Sequence, residues 1–264
     1  KETGLSYLTG AVGKLATLHP GKIRHEGDRA KLISANDGSN FTYRGRFCDK
    51  GEAVQVGYSD SQRLHSALRW LIRRQGRSYD SLCVVVCEAL GESLPEWRAG
   101  SAEIEDAYET LLGAEPLPAY GDTGEDVAAR FNAAMRGYSM RIRPGSRTLL
   151  FSLDVATPGR LAANCAQTLE TSRYLENLRH WHAGCALRRW EFREGKWEAR
   201  IGTPPVWRIA YALYGTEQNK RLTIGKNHQK FERMLYRILF ACIAEGRRLP
   251  DSFVQTAFRR AASP

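Results

Sequence analysis

Apolar residues recur at helical spacing in several stretches of this chain. Between Ser59 and Arg77, residues Leu64, Ala67, Leu68, Leu71 and Ile72 gather on one face at about 100° per residue, which predicts an amphipathic helix. Asp60 or Ser61 is placed to cap its start and Gly76 to end it. Arg63, Arg73, Arg74 and Arg77 fall roughly opposite the apolar face. The valine-rich run Ser81–Cys87 suits a buried strand better than a helix, because β-branched side chains pack well on a pleated surface. Thr148–Asp154 reads as another apolar strand. Thr123-Gly124-Glu125-Asp126 resembles a capping box, opening a helix through Val127, Phe131 and Met135. Helices are predicted over Arg173–Trp181, over Pro205–Tyr214 with a proline near the first turn, over Gln229–Glu245, and again from Asp251. Trp190–Arg200 reads as a hairpin around Glu194-Gly195.

Near the N-terminus, Ala30–Ala35 and Phe41–Phe47 read as short strands. Asn36-Asp37-Gly38-Ser39-Asn40 joins them with strong turn chemistry, so this region is predicted to be a hairpin with a polar tip. Residues 88–122 carry Pro95, Pro116, Pro118 and scattered acids, an excursion that is partly helical around Ile104–Leu112. The pattern predicts an α+β fold, with short antiparallel strands and hairpins in the first half and a mainly helical second half. It divides into a basic strand, hairpin and helix region (1–87), an acidic excursion (88–122) and a mixed, then mainly helical, basic region (123–264).

Charge divides the chain in a similar way. Residues 1–80 hold 14 Lys/Arg and 8 Asp/Glu, residues 81–129 hold 1 and 11, and residues 130–264 hold 24 and 10. An acidic segment thus separates two strongly basic ones in a chain of net charge +10. Basic surfaces attract polyanions through their long-range field and through counterion release, and arginine-rich ones suit phosphate. No run approaches the roughly 18 apolar residues of a membrane helix. Cys48, Cys83, Cys87, Cys165, Cys185 and Cys242 are scattered, form no CxxC and sit mostly in apolar runs, which favours reduced thiols in a cytoplasmic protein. The chain begins at Lys1 rather than Met and ends just beyond paired arginines, so both ends are read as cuts through a longer protein.

Enzyme motifs are missing. There is no GxxxxGK[ST], GxSxG, HExxH or GxGxxG. His180, His182 and Cys185 in HWHAGC could supply three zinc ligands, but on a helix the two histidines point to different faces, so packing is the preferred reading. His25 with Tyr43, or Asp154 at a strand end, could serve a nuclease, yet no spacing requires it. No catalytic residue, metal or cofactor is predicted.

Three strings in the first eighty residues carry a family resemblance: YLTG (Tyr7–Gly10), LHPGKIRHEGDRAKLISANDGSNFTYRGRF (Leu18–Phe47) and VGYSDSQRLHSALRWLIRRQG (Val56–Gly76). LDVATPGRLA (Leu153–Ala162), IGTPP (Ile201–Pro205) and LPDSFVQTAFRRAASP (Leu249–Pro264) agree in the same order. The chain resembles the central part of the large subunit of the type I-C CRISPR interference complex (Cascade). The resemblance implies a non-enzymatic, cytoplasmic component of an RNA-guided complex that recognises the short flanking motif (PAM) on double-stranded target DNA and helps open the duplex. Implied partners are the guide-RNA-bearing backbone, RNA-end-capping and small subunits and a helicase–nuclease effector, with no membrane; separately, an exposed basic patch could be a target for phage anti-CRISPR proteins. A nuclease or RNA-processing enzyme and a purely scaffolding subunit are the alternatives.

Within that frame, residue chemistry nominates the contacts. Asn36, Ser39 and Asn40 at the hairpin tip are candidates for reading base edges. Lys22, Arg24, Arg29 and Lys31 before the hairpin, and Arg44 and Arg46 on one face of its second strand, are candidates for phosphate. Arg63, Arg73, Arg74 and Arg77 join them. Trp70 and Tyr58 could stack on bases, although core packing is the preferred role.

Overall fold

The computed structural model describes residues 2–33, 54–112, 124–157, 159–193, 195–218, 221–225 and 229–262. It divides into two compact units, one of residues 1–86 and 151–167, the other of residues 87–150 and 168–264. The return of 151–167 to the first unit has no counterpart in the division read from charge and pattern.

In the first unit, β1 (Thr3–Leu5) pairs antiparallel with β2 (Val12–Lys14). Three-residue strands carry too little alternation to be read from sequence. Helix α1 spans Tyr58–Gln75 and starts at Gly57 without a side-chain cap. Asp60 lies inside its first turn and accepts hydrogen bonds from the hydroxyls of Ser6 (2.7 Å) and Thr9 (3.0 Å), tying the β1–β2 turn to the helix. Ser61, the other predicted cap, is buried instead, with its Oγ 2.9 Å from His19 Nδ1. Gly76 ends the helix as expected, its N–H donating to Ile72 O at 2.9 Å.

A four-stranded sheet follows in the order β3-β4-β5-β6, formed by β3 (Arg77–Tyr79), β4 (Leu82–Glu88), β5 (Arg147–Thr157) and β6 (Arg160–Glu170). β3 and β4 make a tight hairpin in which Tyr79 pairs with Leu82, and Asp80 takes the left-handed conformation (φ 53°) that the turn demands. Leu82, Cys83, Val84 and Val85 are all buried, which is why β4 reads as a continuous apolar run. β5 continues past Asp154 to Thr157 and β6 begins at Arg160, so Asp154 lies inside a strand and not at its predicted end. Most of the predicted hairpin over 30–47 lies outside the described residues. Lys31, within its first predicted strand, forms an isolated parallel bridge with Arg160.

The second unit is helical, with added hairpins. α2 (Ser101–Leu112) packs on α3 (Gly124–Arg141), and α3 on α4 (Thr171–Gly184). Hairpin β7 (Leu187–Arg193) and β8 (Lys196–Gly202) runs longer than predicted. α5 (Val206–Tyr214), β9 (Thr216–Gln218), β10 (Arg221–Thr223), α6 (Gln229–Ile243) and α7 (Asp251–Ala262) complete it. Its core gathers Ile104, Met135, Tyr174, Leu178, Leu235, Leu239, Phe240 and Ile243, all fully buried. Trp97 meets Tyr236 and Phe240 edge-on at 6.2 and 5.2 Å. The acidic excursion supplies part of this core: Glu105 and Glu109 of α2 lie 3.8 and 3.4 Å from Arg130 of α3. The α+β class is observed, with antiparallel hairpins present in both halves.

Candidate nucleic-acid interface

Helical spacing sorts α1 into two faces. His65 and Ile72 are buried, while Arg63, Arg73 and Arg74 are exposed. Trp70 and Arg74 follow Arg63 by seven and eleven residues, which returns them to nearly the same line along the helix. Trp70 therefore stands among the arginines and is 57% exposed, not packed in the core as the sequence reading preferred. The Arg74 guanidinium lies 5.4 Å from its ring centre. Tyr58 is also exposed, with Lys14 Nζ 4.6 Å from its ring centre. Arg73 approaches Glu26 at 3.8 Å, but both side chains are largely exposed and the pair holds the guanidinium only weakly.

The basic stretch from Lys22 to Lys31 folds as a loop closed on itself. Lys22, with φ 55°, donates its N–H to Asp28 O at 2.8 Å, and Ile23 is buried beneath. Arg24, one of the candidate cations, is turned inward. It grips Asp28 in two places, Nε to Oδ2 at 2.9 Å and Nη2 to Oδ1 at 3.0 Å, and donates Nη1 to Ser81 O. Burial alone would raise the Asp28 pKa, but the Arg24 side chain and the Ala30 and Arg24 N–H groups hold it below its usual value. Arg24 thus holds this loop together and is not presented to a phosphate. Lys22, Arg29 and Arg77 are exposed, and Lys31 is half-buried. Asn36, Ser39, Asn40, Arg44 and Arg46 lie outside the described residues, as does Tyr43.

The candidates for catalysis are dispersed. His25 is exposed. Asp154 is buried inside β5, accepting the Ser81 hydroxyl at 2.6 Å and the Val155 N–H at 2.8 Å. His180 is exposed, whereas His182 is buried against Phe131, their ring centres 4.6 Å apart. Among the described residues no three His, Cys, Asp or Glu side chains are placed to hold a metal ion. The structure also brings together two buried groups that the sequence reading did not pair. Ser101 Oγ and His182 Nδ1 are hydrogen bonded at 2.8 Å, but Ser101 Oγ also accepts the Thr203 N–H at 2.9 Å and both residues are buried, so the pair fastens α2 to α4. His19 and His65, the latter on the buried face of α1, have ring centres 6.0 Å apart and are both bonded to Ser61. Burial first, then neighbouring cationic groups, lowers the pKa of His19, and burial lowers that of His65.

One further feature was legible only from strand register. Trp190 pairs with Ala199 and Trp197 with Phe192, which puts both indoles on one face of the β7–β8 ribbon, and both are largely exposed. No helix among the described residues is long and apolar enough to cross a membrane.

The sequence matches no curated protein. A family model described as "CRISPR-associated protein (Cas_Csd1)" matches it over residues 1–264, its entire length. The chain therefore belongs to the Cas_Csd1 family of CRISPR-associated proteins.

Proposed function

We propose that this chain is a non-catalytic part of the large subunit of a type I-C CRISPR surveillance complex. In that role it contacts double-stranded target DNA, contributes to PAM recognition and duplex opening, and helps recruit the helicase–nuclease during antiviral defence. The observation that carries the reading is the outer face of α1, where Arg63, Arg73 and Arg74 surround the exposed indole of Trp70 in a CRISPR-associated chain. Planar guanidinium groups suit phosphate, and an exposed indole offers an unpaired base a surface to stack on. Side by side on one helix they fit a duplex at the point where it opens. Lys22, Arg29, Lys31 and Arg77 extend the clamp in the first unit, without Arg24. Asn36, Ser39 and Asn40 remain the proposed base readers, flanked by Arg44 and Arg46.

The test is DNA binding by the full chain at two salt concentrations, using a perfect duplex and one with an unpaired bubble. Arg63→Glu/Arg74→Glu weakens binding to both and reduces the salt slope by about 2, roughly 1 for each lost phosphate contact. Trp70→Ala weakens bubble binding selectively, by roughly 5- to 150-fold, the range expected for one lost stacked base. If the charge reversal leaves affinity and slope unchanged, α1 is not the DNA-contacting face.

A further inference from the structure

In the second unit an open cleft of about 820 Å³ lies between α4 and the segment that joins α6 to α7. Arg173, Asn177, His180 and Gly184 of α4 recur at intervals of four, three and four residues, so they form one stripe along the cleft wall. Gly246, Arg247 and Arg248 form the facing wall. Asn177 joins the two walls by donating Nδ2–H to Ala244 O at 2.9 Å. Gly246 has φ 73°, and a Cβ there would come within 2.6 Å of Asn177 Oδ1, so the walls approach closely only because this residue is glycine.

Arginines after a helix often serve the carbonyls at its end. Here backbone and Asn177 already take part of that role: Ala241 O accepts the Arg247 N–H at 3.1 Å and Ala244 O accepts Asn177. The Arg247 and Arg248 side chains extend outward, 68% and 92% exposed. Arg247 pairs with Glu245 at 2.6 Å, Arg173 with Glu176 at 2.8 Å, and Arg248 only loosely with Asp251 at 3.9 Å. Each guanidinium has five N–H donors, so one carboxylate leaves others available. Arg179 lines the cleft and makes no ion pair among the described residues. Glu176 is the one carboxylate among the lining side chains, against Arg173, Arg179, Arg247 and Arg248. The volume is at the upper end of the roughly 300–1,000 Å³ of small-ligand pockets, and cations on both walls suit a chain of phosphates better than a single anion. Trp181 adds an aromatic surface to the lining.

We infer that this cleft binds the phosphodiester backbone of a single-stranded nucleic acid, as a second contact separate from α1. The inference rests on the reading of the chain as a nucleic-acid-binding subunit. It is tested by fluorescence anisotropy of the full chain with labelled 12-nucleotide oligo(U) RNA and oligo(dT) DNA, with polyglutamate as a competing acidic polypeptide. Arg179→Gln/Arg248→Gln lowers affinity for the preferred oligonucleotide by roughly tenfold or more and reduces the salt slope by about 1.4, or 0.7 for each lost single-strand phosphate. Arg179→Lys/Arg248→Lys, which keeps the charges, restores most of the slope. Circular dichroism melts establish that both variants remain folded. The RNA and DNA arms decide which strand the cleft prefers. If the Gln pair binds like the wild type while Arg63→Glu/Arg74→Glu is impaired, the cleft inference falls and the DNA-binding reading stands. If no form of the chain binds either oligonucleotide, or if only polyglutamate binds, the cleft inference falls, and the double-stranded DNA reading is decided separately by the duplex and bubble assay.

Discussion

Burial of a neutral His182 should make the second unit less stable on mild acidification, by an amount that follows from its surroundings. The ring is buried against Phe131, Nδ1 is bonded to Ser101, and Nε2 has no hydrogen-bond partner among the described residues. Burial pushes its pKa from 6.5 down to about 3, so the folded ring stays neutral where the unfolded one would be charged. Below pH 6.5 the unfolded state therefore binds more protons than the folded state, and stability falls as the pH drops from 6.5 toward 3. Between pH 7.5 and 5.0 this linkage costs about 2 kcal/mol. The assay is urea unfolding of the wild type and of His182→Phe at both pH values. The variant keeps a ring against Phe131 and loses one hydrogen bond, so at pH 7.5 it is less stable by about 1 kcal/mol. Its decrease between the two pH values is about 2 kcal/mol smaller than that of the wild type. Some pH dependence persists in the variant, because His19 and His65 are also buried with lowered pKa values and act in the same direction. Equal pH dependence in the two proteins would refute the argument.

Three further outcomes can be checked by denaturation. Asp28→Ala leaves the largely buried Arg24 guanidinium without its carboxylate and should cost about 3–5 kcal/mol, while Arg24→Met/Asp28→Leu recovers most of that. Gly137→Ala, toward the C-terminal end of α3, should destabilise by about 1–3 kcal/mol despite alanine's better helix propensity, because a Cβ there would overlap the Tyr108 ring; added Tyr108→Leu relieves the overlap and reverses the sign. Gly246→Ala combines a left-handed backbone with the approach to Asn177 and should lower the thermal midpoint by several degrees, whereas Ala261→Gly on exposed α7 changes it little.

Periodicity alone located most of the long elements, because a face that must be buried leaves a regular signal. Ile72 marks α1, although Leu64 and Ala67 of the same predicted face are exposed and Ser61 and His65 are buried instead; the valines at 84 and 85 mark β4, and Leu235 and Leu239 mark α6. The same arithmetic placed Arg63, Arg73 and Arg74 opposite the core, and carried through to position 70 it would have placed Trp70 beside them. What hid Trp70 was a residue-type preference for burial, which the helical phase overrode. Composition could separate basic from acidic segments but could not tell which cations are consumed internally. Arg24 and Arg29 look alike in the string, and only the return of the loop onto Asp28 and Ser81 turns one inward and leaves the other exposed. Long-range partners were likewise closed to the sequence. His182 meets Ser101 across 81 positions, Asn177 reaches Ala244 across 67, and the cleft arginines come from α4 and the α6–α7 connection. Local spacing encodes which face of an element is apolar. Which distant elements those faces meet, and so where charges converge, is decided when the cores close.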